Sequence, residues 1–320
     1  MPAEPYLFRL GERLSRGLAG LEPERRERHR RFFVSRQNRD GGFRGRDDSS
    51  DLYYTAFGVR GLALLQGLDT AVCQRLADYL ARQTEMHVSV IDLVSWLYCA
   101  IMVQLHGQLD VLAQAPADWP DRLAQLLESF RTPDGGYAKT HEGAAGSTYH
   151  TFLVALCYEL IGRQAPGPEL LHRFLLERQR DDGGFVEIAP MQRSGTNPTA
   201  AAVAVLNMVG AITPELRGDI EGFLGDVWSG EGGFQANTRV PFPDSLSTFT
   251  GLLTALDLGL SGLAQPSACR AFIDSLEFPD GGFRGALWDT LADVEYSFYA
   301  LGVLALLPET GTPYRGEVSA

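Results

Sequence analysis

Basic residues are in short supply. Lys and Arg total 28 against 40 Asp and Glu, a formal net charge of −12. That balance argues against a broad basic surface of the kind that binds nucleic acid or anionic lipid. The one basic run, RRERHRR at residues 25–31, reads as a solvated helix face. Cysteine is scarce and scattered: Cys73, Cys99, Cys157 and Cys269 stand singly, with no CxxC pair. They read as small core residues of a reduced, cytoplasmic protein. Long apolar runs are missing too. The stretch MPAEPYLFRLGERLSRGLAGL has no apolar signal core. No uninterrupted run approaches the roughly 20 residues that span a bilayer. What remains is ordinary globular composition, 45% hydrophobic and 21% charged over 320 residues. That is ample for a large buried core.

Glycine recurs on a schedule. A Gly-Gly-aromatic triplet appears in RDGGF, PDGGY, DDGGF, GEGGF and PDGGF, with first glycines at Gly41, Gly135, Gly183, Gly232 and Gly281. Their separations are 94, 48, 49 and 49 residues. The long gap is two repeats, so a copy near TEMHVSV, residues 84–90, has lost its signature. Six units of about 49 residues result, covering nearly the whole chain.

Each unit holds an amphipathic helix, the glycine turn, a loop and a more apolar helix. RRFFVSRQ and LLHRFLLERQ typify the first helix, whose charged stripe faces water. STYHTFLVALCYELI and DVEYSFYALGVLALL typify the second, apolar nearly all round and so buried on both sides. Glycine ends the first helix in a left-handed conformation without a steric cost. Asp51, Asp92, Asp244 and Asp293 begin four of the six apolar helices and read as N-caps. Six outer and six inner helices side by side can close into an all-α ring, an α6–α6 barrel. The barrel is expected as one domain over residues 1–320, with a helical extension at about 1–20 and a flexible tail at about 308–320. Its cavity would open at the N-terminal ends of the inner helices. An open superhelix is the alternative, but it needs polar terminal caps that this chain lacks.

The turns RQNRDGGF and RQRDDGGF resemble the Q-x-x-D-G-G-F signature of the prenyltransferase and squalene-cyclase superfamily. The resemblance covers essentially the whole chain. It implies the α–α barrel, an apolar cavity for an isoprenoid chain and a polar mouth for its diphosphate. In length the chain is similar to protein prenyltransferase β subunits, which carry one barrel. Triterpene cyclases carry two. The resemblance therefore implies binding of farnesyl or geranylgeranyl diphosphate (C15 or C20) and transfer of the prenyl group. It also implies a helical α-subunit partner, with a homodimer through outer helices as the alternative.

The family's chemistry is only partly matched. Protein prenyltransferases hold catalytic zinc with an Asp, a Cys two residues later and a His in the next repeat. Those positions fall on Asp244, Leu246 and Tyr296. Leu246 cannot ligate metal, so no zinc site of the family type is expected, and Asp244 reads as a cap. Class II cyclases protonate an alkene with an Asp inside D-x-D-D-T-A. DLYYTA at 51–56 keeps that frame but has Tyr53 and Tyr54 where the later acids belong. DVEYSF at 293–298 puts Glu295 in the acid's column. Buried in an apolar cavity, Glu295 would have a raised pKa and could donate a proton. Solvated, it would only favour the helix dipole. DDSSD at 47–51 matches the D-D-x-x-D of class I terpene synthases but precedes a helix, as a chance match would. Mg²⁺ would then enter only with a diphosphate.

Diphosphate recognition needs cations at the cavity mouth. Lys139, His141, Arg193 and Arg239 lie in turn-to-helix loops, and His150 lies one turn into an inner helix. The wall is expected from Tyr54, Trp96, Tyr149, Phe249, Tyr296 and Phe298, although the last two cannot both point inward. Tyr149 matches a family pocket position. Ala200, Ala201 and Ala202 leave room for a long tail. Glu295, Tyr296 and Asp244 are the catalytic candidates. Three functions stay open: a prenyltransferase-like enzyme without the family's zinc, a cyclase-like enzyme using Glu295, and a non-catalytic lipid-binding or scaffold barrel.

Overall fold

The two kinds of helix separate into two layers, as their polarity requires. The computed structural model describes residues 4–83, 89–113 and 115–307. The inner helices are α3 (Leu52–Leu64), α5 (Val90–Gly107), α7 (Thr148–Leu160), α9 (Thr196–Met208), α11 (Ser245–Asp257) and α13 (Val294–Leu306). The outer helices are α2 (Pro23–Ser35), α4 (Thr70–Arg82), α6 (Trp119–Glu128), α8 (Pro168–Leu176), α10 (Pro214–Asp226) and α12 (Pro266–Ser275). A further helix, α1 (Tyr6–Gly17), precedes them. Inner helices pack on their neighbours in chain order, and α13 packs back on α3. The ring is therefore closed. Of residues 84–90, where the degenerate turn is expected, 84–88 lie outside the described residues, as does the expected tail at 308–320.

Polarity and depth agree. Ten of the 13 residues of α13 are buried, whereas α12 buries only Cys269, Phe272 and Ile273. Five of the six outer helices carry Pro in their first turn, where the missing N–H costs nothing. All four cysteines are free and buried. By length and composition α5 could cross a membrane, yet here it is an inner barrel helix with 56% of it buried.

The glycine turn is the joint between repeats. The first glycine of each visible copy has φ between +84° and +96°. Its missing side chain lets the turn sit on the outer helix of the next repeat. A Cβ on Gly41 would lie 1.9 Å from the Arg75 carbonyl oxygen, and one on Gly183 would lie 2.1 Å from that of Asp219. The aromatic that follows is fully buried in all five copies. Its N–H donates to an inner-helix hydroxyl: Phe43 to Thr55, Tyr137 to Thr151, Phe185 to Thr199, Phe234 to Thr248 and Phe283 to Ser297, at 2.8–3.1 Å. In repeat one the same aromatic starts a two-strand ladder, β1 (Phe43–Arg44) with β2 (Ser50–Asp51), that leads into the cap of α3. Gln37 adds a tie, its Nε2 donating to the carbonyls of Gly41 at 3.0 Å and of Val72 on α4 at 3.2 Å.

Repeat six closes on repeat one with charge. Gly281 faces the Arg28 carbonyl oxygen, 2.6 Å from where its Cβ would lie. Glu277 occupies the position that Gln37 and Gln179 hold in their repeats, since each bridges its own turn aromatic. Its carboxylate pairs with Arg25 at 2.5 Å, Arg28 at 2.6 Å and His29 at 3.2 Å. His29 is fully buried, stacks on Phe283 at 4.7 Å and accepts the Gly282 N–H at 3.0 Å. The run RRERHRR is thus the closing seam of the ring, not a plain solvated face. A second clasp joins the loops above: Arg46 pairs with the buried Asp293 at 2.9 Å and also with Asp289.

α1 crosses the floor. Its Arg13 pairs with Asp257 at the end of α11 at 2.7 Å, and the Tyr6 N–H donates to Glu159 near the end of α7 at 2.8 Å. Gly17 abuts Ala305 of α13, whose carbonyl oxygen lies 1.9 Å from where a Cβ would be.

Two outcomes test this account of the joints. Gly183→Ala loses more than about 2 kcal/mol in urea melts, because strain and a backbone clash add. Gly210→Ala, with φ +67° but open space around its Cβ, loses only about 1 kcal/mol. At the seam, burial works to raise the Glu277 pKa, but His29, Arg28 and Arg25 overcome it and pull it down to about 2. Its stabilisation is complete above the ordinary value of 4.5 and disappears as pH falls toward about 2. Acid melts of Glu277→Gln lack that component, about 3 kcal/mol.

Candidate active cavity

A cavity of about 990 Å³ runs from the N-terminal ends of the inner helices down to α1. That is the upper end of the usual range for a small-molecule site. Its geometry follows from the caps. Asp51, Ser89, Ser147, Asp244 and Asp293 each accept a backbone N–H in the first turn of an inner helix, and Gly195 starts α9 without a side-chain cap. Asp92 is not the cap of α5. Ser89 is, and Asp92 sits three residues on, accepting the Ser89 hydroxyl at 2.7 Å.

This register moves the columns. Two residues after the caps stand Tyr53, Ile91, Tyr149, Asn197, Leu246 and Glu295, and all six line the cavity. Tyr149 therefore falls in the Glu295 column, and Thr199 stands four residues after its cap. Thr199 is the hydroxyl that receives the Phe185 N–H at 2.9 Å. On α13 the helical period brings Glu295, Phe298 and Tyr299 to the cavity and turns Tyr296 away.

Glu295 is the chemically distinctive group. Tyr53 donates to its Oε1 at 2.5 Å. Desolvation by burial, helped by the carboxylates of Asp293 and Asp51, raises its pKa to about 7 against the pull of Tyr53 and Arg46. Burial likewise raises the Tyr53 and Tyr299 phenols well above their ordinary value and pushes Tyr149 up to about 12. Around this carboxyl lie aromatic faces: Phe57 is 5.0 Å from Tyr53, 5.7 Å from Phe298 and 5.3 Å from Tyr299, and Phe249 is 5.8 Å from Phe298.

The other expected residues scatter. Tyr149, Ala200, Phe249 and Phe298 line the cavity. Tyr54 does not; it packs against Gly45 in the first loop, where a Cβ would lie 2.3 Å from its ring. Trp96 faces α4 and donates to the Leu80 carbonyl at 3.1 Å. Of the five cations proposed for diphosphate, only Lys139 lines the cavity, from an exposed loop position. His141 is exposed beside Glu142 at 3.9 Å. Arg193 reaches the Thr238 hydroxyl at 3.1 Å, and Arg239 is exposed in the fifth loop. His150 is half-buried off the cavity, and desolvation, with Lys139, lowers its pKa to about 4. Two lining groups had no sequence signal as site residues: Asn197, visible once Gly195 is taken as the helix start, and Arg60, which reads as one polar residue in an apolar helix.

The zinc set of the family does not fit here. Asp244 is occupied as a cap, accepting the Ser247 N–H at 2.7 Å and the Ser247 hydroxyl at 2.8 Å. Leu246 has no donor atom. The phenol of Tyr296, raised to about 12 mainly by burial, lies under the Arg46 guanidinium at 5.4 Å. Among the described residues, no three His, Cys, Asp or Glu side chains are grouped to hold a metal ion. In DDSSD, Asp47 and Asp48 lie exposed in a loop while Asp51 caps α3.

Six inner helices closed into a ring inside six outer ones, around an aromatic-lined cavity, form an α–α toroid. Within it, the chain belongs to the prenyltransferase alpha-alpha toroid domain family, which matches residues 14–186 and 199–317. It is similar to the geranylgeranyl transferase type-1 subunit beta of Arabidopsis thaliana, 29% identical over 197 residues, covering 57% of this chain and 51% of that one. It thus spans about half the length of that curated relative. Among solved structures it resembles the Candida albicans protein geranylgeranyltransferase-I complexed with GGPP, with TM-score 0.70, 15% identity and coverage of 88% and 90%. A variant of the type II terpene cyclase MstE from Scytonema, in complex with geranylgeranyl dihydroxybenzoate, gives 0.59 at 14% identity, with coverage of 93% and 97%. An alpha-1,6-mannanase of Salegentibacter gives 0.58 at 12% identity, with coverage of 88% and 98%. At these identities the likeness is one of fold, and the fold alone does not choose the chemistry.

A thermodynamic signature follows from the Glu295 carboxyl. Its raised pKa means the charged form is disfavoured in the folded state, so stability is lost as pH rises through about 7. Glu295→Gln removes that loss. In melts at high pH it is more stable than wild type by about 2 kcal/mol, and in melts at pH below the ordinary carboxylate range the difference closes.

Proposed function

We propose that the cavity binds an isoprenoid chain and that Glu295 delivers a proton to it, as in a cyclase-type reaction. The observation that carries the proposal is the placement of Glu295: in the cavity wall, hydrogen-bonded by Tyr53, with its carboxyl raised to about 7. Near neutrality such a group holds its proton in part and lies close to the value suited to acid–base work. Proton addition to an alkene carbon converts the double bond to a carbocation and leaves Glu295 as carboxylate. A neighbouring alkene then attacks the cation, the final cation loses a proton to water, and Glu295 regains its proton from solvent. A weak acid needs help, and the faces of Phe249, Phe298 and Tyr299 supply it, because aromatic faces attract cations.

Prenyl transfer is the second reading. It is supported by the similarity to a geranylgeranyl transferase type-1 β subunit over 57% of the chain. There Glu295 would take the acceptor's proton while the prenyl carbon gains the acceptor and loses diphosphate. The family's helical partner would belong to this reading.

The two readings separate on one assay. Incubated with geranylgeranyl diphosphate, the cyclase-type protein turns over without releasing diphosphate, and its rate falls as pH rises through about 7. Release of diphosphate dependent on an added thiol or phenol acceptor supports transfer. Glu295→Gln binds the ligand within about threefold of wild type but loses at least a hundredfold in rate. Ala200→Trp weakens C20 binding at least tenfold more than C10 binding if the tail fills this cavity. Absence of binding by every isoprenoid tried removes the reading altogether.

A further inference from the structure

Arg60 is the cation this cavity holds in its depth. It lies on α3 seven residues beyond Tyr53, so it lines the same face two turns, or about 10 Å, further in. Its guanidinium carbon lies 5.2 Å from the ring centre of Phe57 and 4.9 Å from that of Tyr98. Both rings belong to buried residues. Its Nε is buried and has no hydrogen-bond partner, while the Tyr98 hydroxyl accepts from the guanidinium. Among the described residues no carboxylate forms an ion pair with it, although Glu12, Asp51, Asp92, Glu187 and Glu295 all line the same cavity.

A cation with no carboxylate partner in a largely apolar cavity is costly, and one phenol hydroxyl and two aromatic faces offset only part of that cost. The missing element is an anion or a strong acceptor supplied from outside. The same charge repels a carbocation, so a cationic reaction centre belongs away from Arg60, at the Glu295 end. We propose that Arg60 is the head-group site of the cavity: it takes the carboxylate or phosphate of an amphiphilic isoprenoid that enters head first. The chain then runs back toward the mouth, and Glu295 meets it about two helical turns from the head. This rests on the isoprenoid reading of the cavity and adds the direction and the polarity of its ligand. It moves the anion site from the rim loops of Arg193 and Arg239 to the barrel interior.

The test is calorimetric binding to the full chain of farnesoic acid, its methyl ester, farnesyl diphosphate and farnesol. Wild type binds farnesoic acid at least about tenfold more tightly than the ester, as a charge-assisted contact requires. Comparing acid with diphosphate shows which head fits. In Arg60→Gln the preference for acid over ester disappears, while the ester binds within about threefold of wild type. Arg60→Lys, which keeps the charge, retains part of the preference. Equal binding of acid and ester by wild type overturns the proposal without any mutation and leaves the isoprenoid cavity standing. Loss of the preference in Arg193→Gln instead places the head at the rim and also overturns it. If none of the four compounds binds, the isoprenoid reading itself fails.

Discussion

Wherever the glycine turn is present, in five of the six repeats, one repeat is held to the next by a side chain that is not there. The first glycine of the turn takes a left-handed backbone and rests on a carbonyl of the following outer helix, as Gly183 rests on Asp219. No L side chain satisfies both demands, so conformational freedom and close approach are required at the same atom. The turn then hands its aromatic to the core and its N–H to an inner-helix hydroxyl. That contact fixes where each inner helix starts, and the starting points define the mouth. The site is therefore a consequence of the joint: Glu295 faces the cavity because Phe283 is tied to Ser297 and Asp293 caps the helix between them.

A ring adds a demand that a stack does not make. Its last repeat must find its first, and identical joints would not say which ends should meet. Here the closing joint sets a carboxylate where the turns of repeats one and four have an amide. Where Gln37 and Gln179 reach neighbouring helices through an amide, Glu277 meets Arg25, Arg28 and His29. Ion pairs of this kind add modest stability relative to a good apolar contact, but a lone partner is strongly disfavoured. A wrong closure would bury Glu277 without its arginines. Arg46 with Asp293 repeats the logic at the rim.

The repeat spacing makes the fold plain in the chain itself, because one turn geometry leaves one sequence mark. The register of the site is less plain. Caps can be Asp, Ser or Gly, so Asp92 passed for the cap that Ser89 provides, and Ser147 and Gly195 did not stand out as helix starts. Hydroxyls four residues after five of the six caps (Thr55, Thr151, Thr199, Thr248 and Ser297) would have set it, but a Thr in a helix has many meanings. Charge was misleading in both directions. The arginine-rich run looked like solvated surface and is the seam. Arg60 carried no mark as a site residue in the sequence and lies inside the cavity. Loop cations such as Arg193 and Arg239 suited a mouth by position, yet loops point where their own contacts take them.

Cavity and acid together make a two-ended chamber, with a carboxyl near neutrality at the upper end and a guanidinium below it. Similar barrels serve protein prenylation, terpene cyclisation and glycan cleavage, so the chemistry rests on these side chains and not on the toroid. The central claim is that Glu295 is a protonatable group inside the cavity. It is tested most directly by difference infrared titration of its carboxyl, wild type minus Glu295→Gln, with and without a bound isoprenoid. A midpoint near 7 in the free protein, moving higher when the ligand excludes water, is the predicted result. A midpoint at the ordinary value of 4.5, unmoved by ligand, would contradict it.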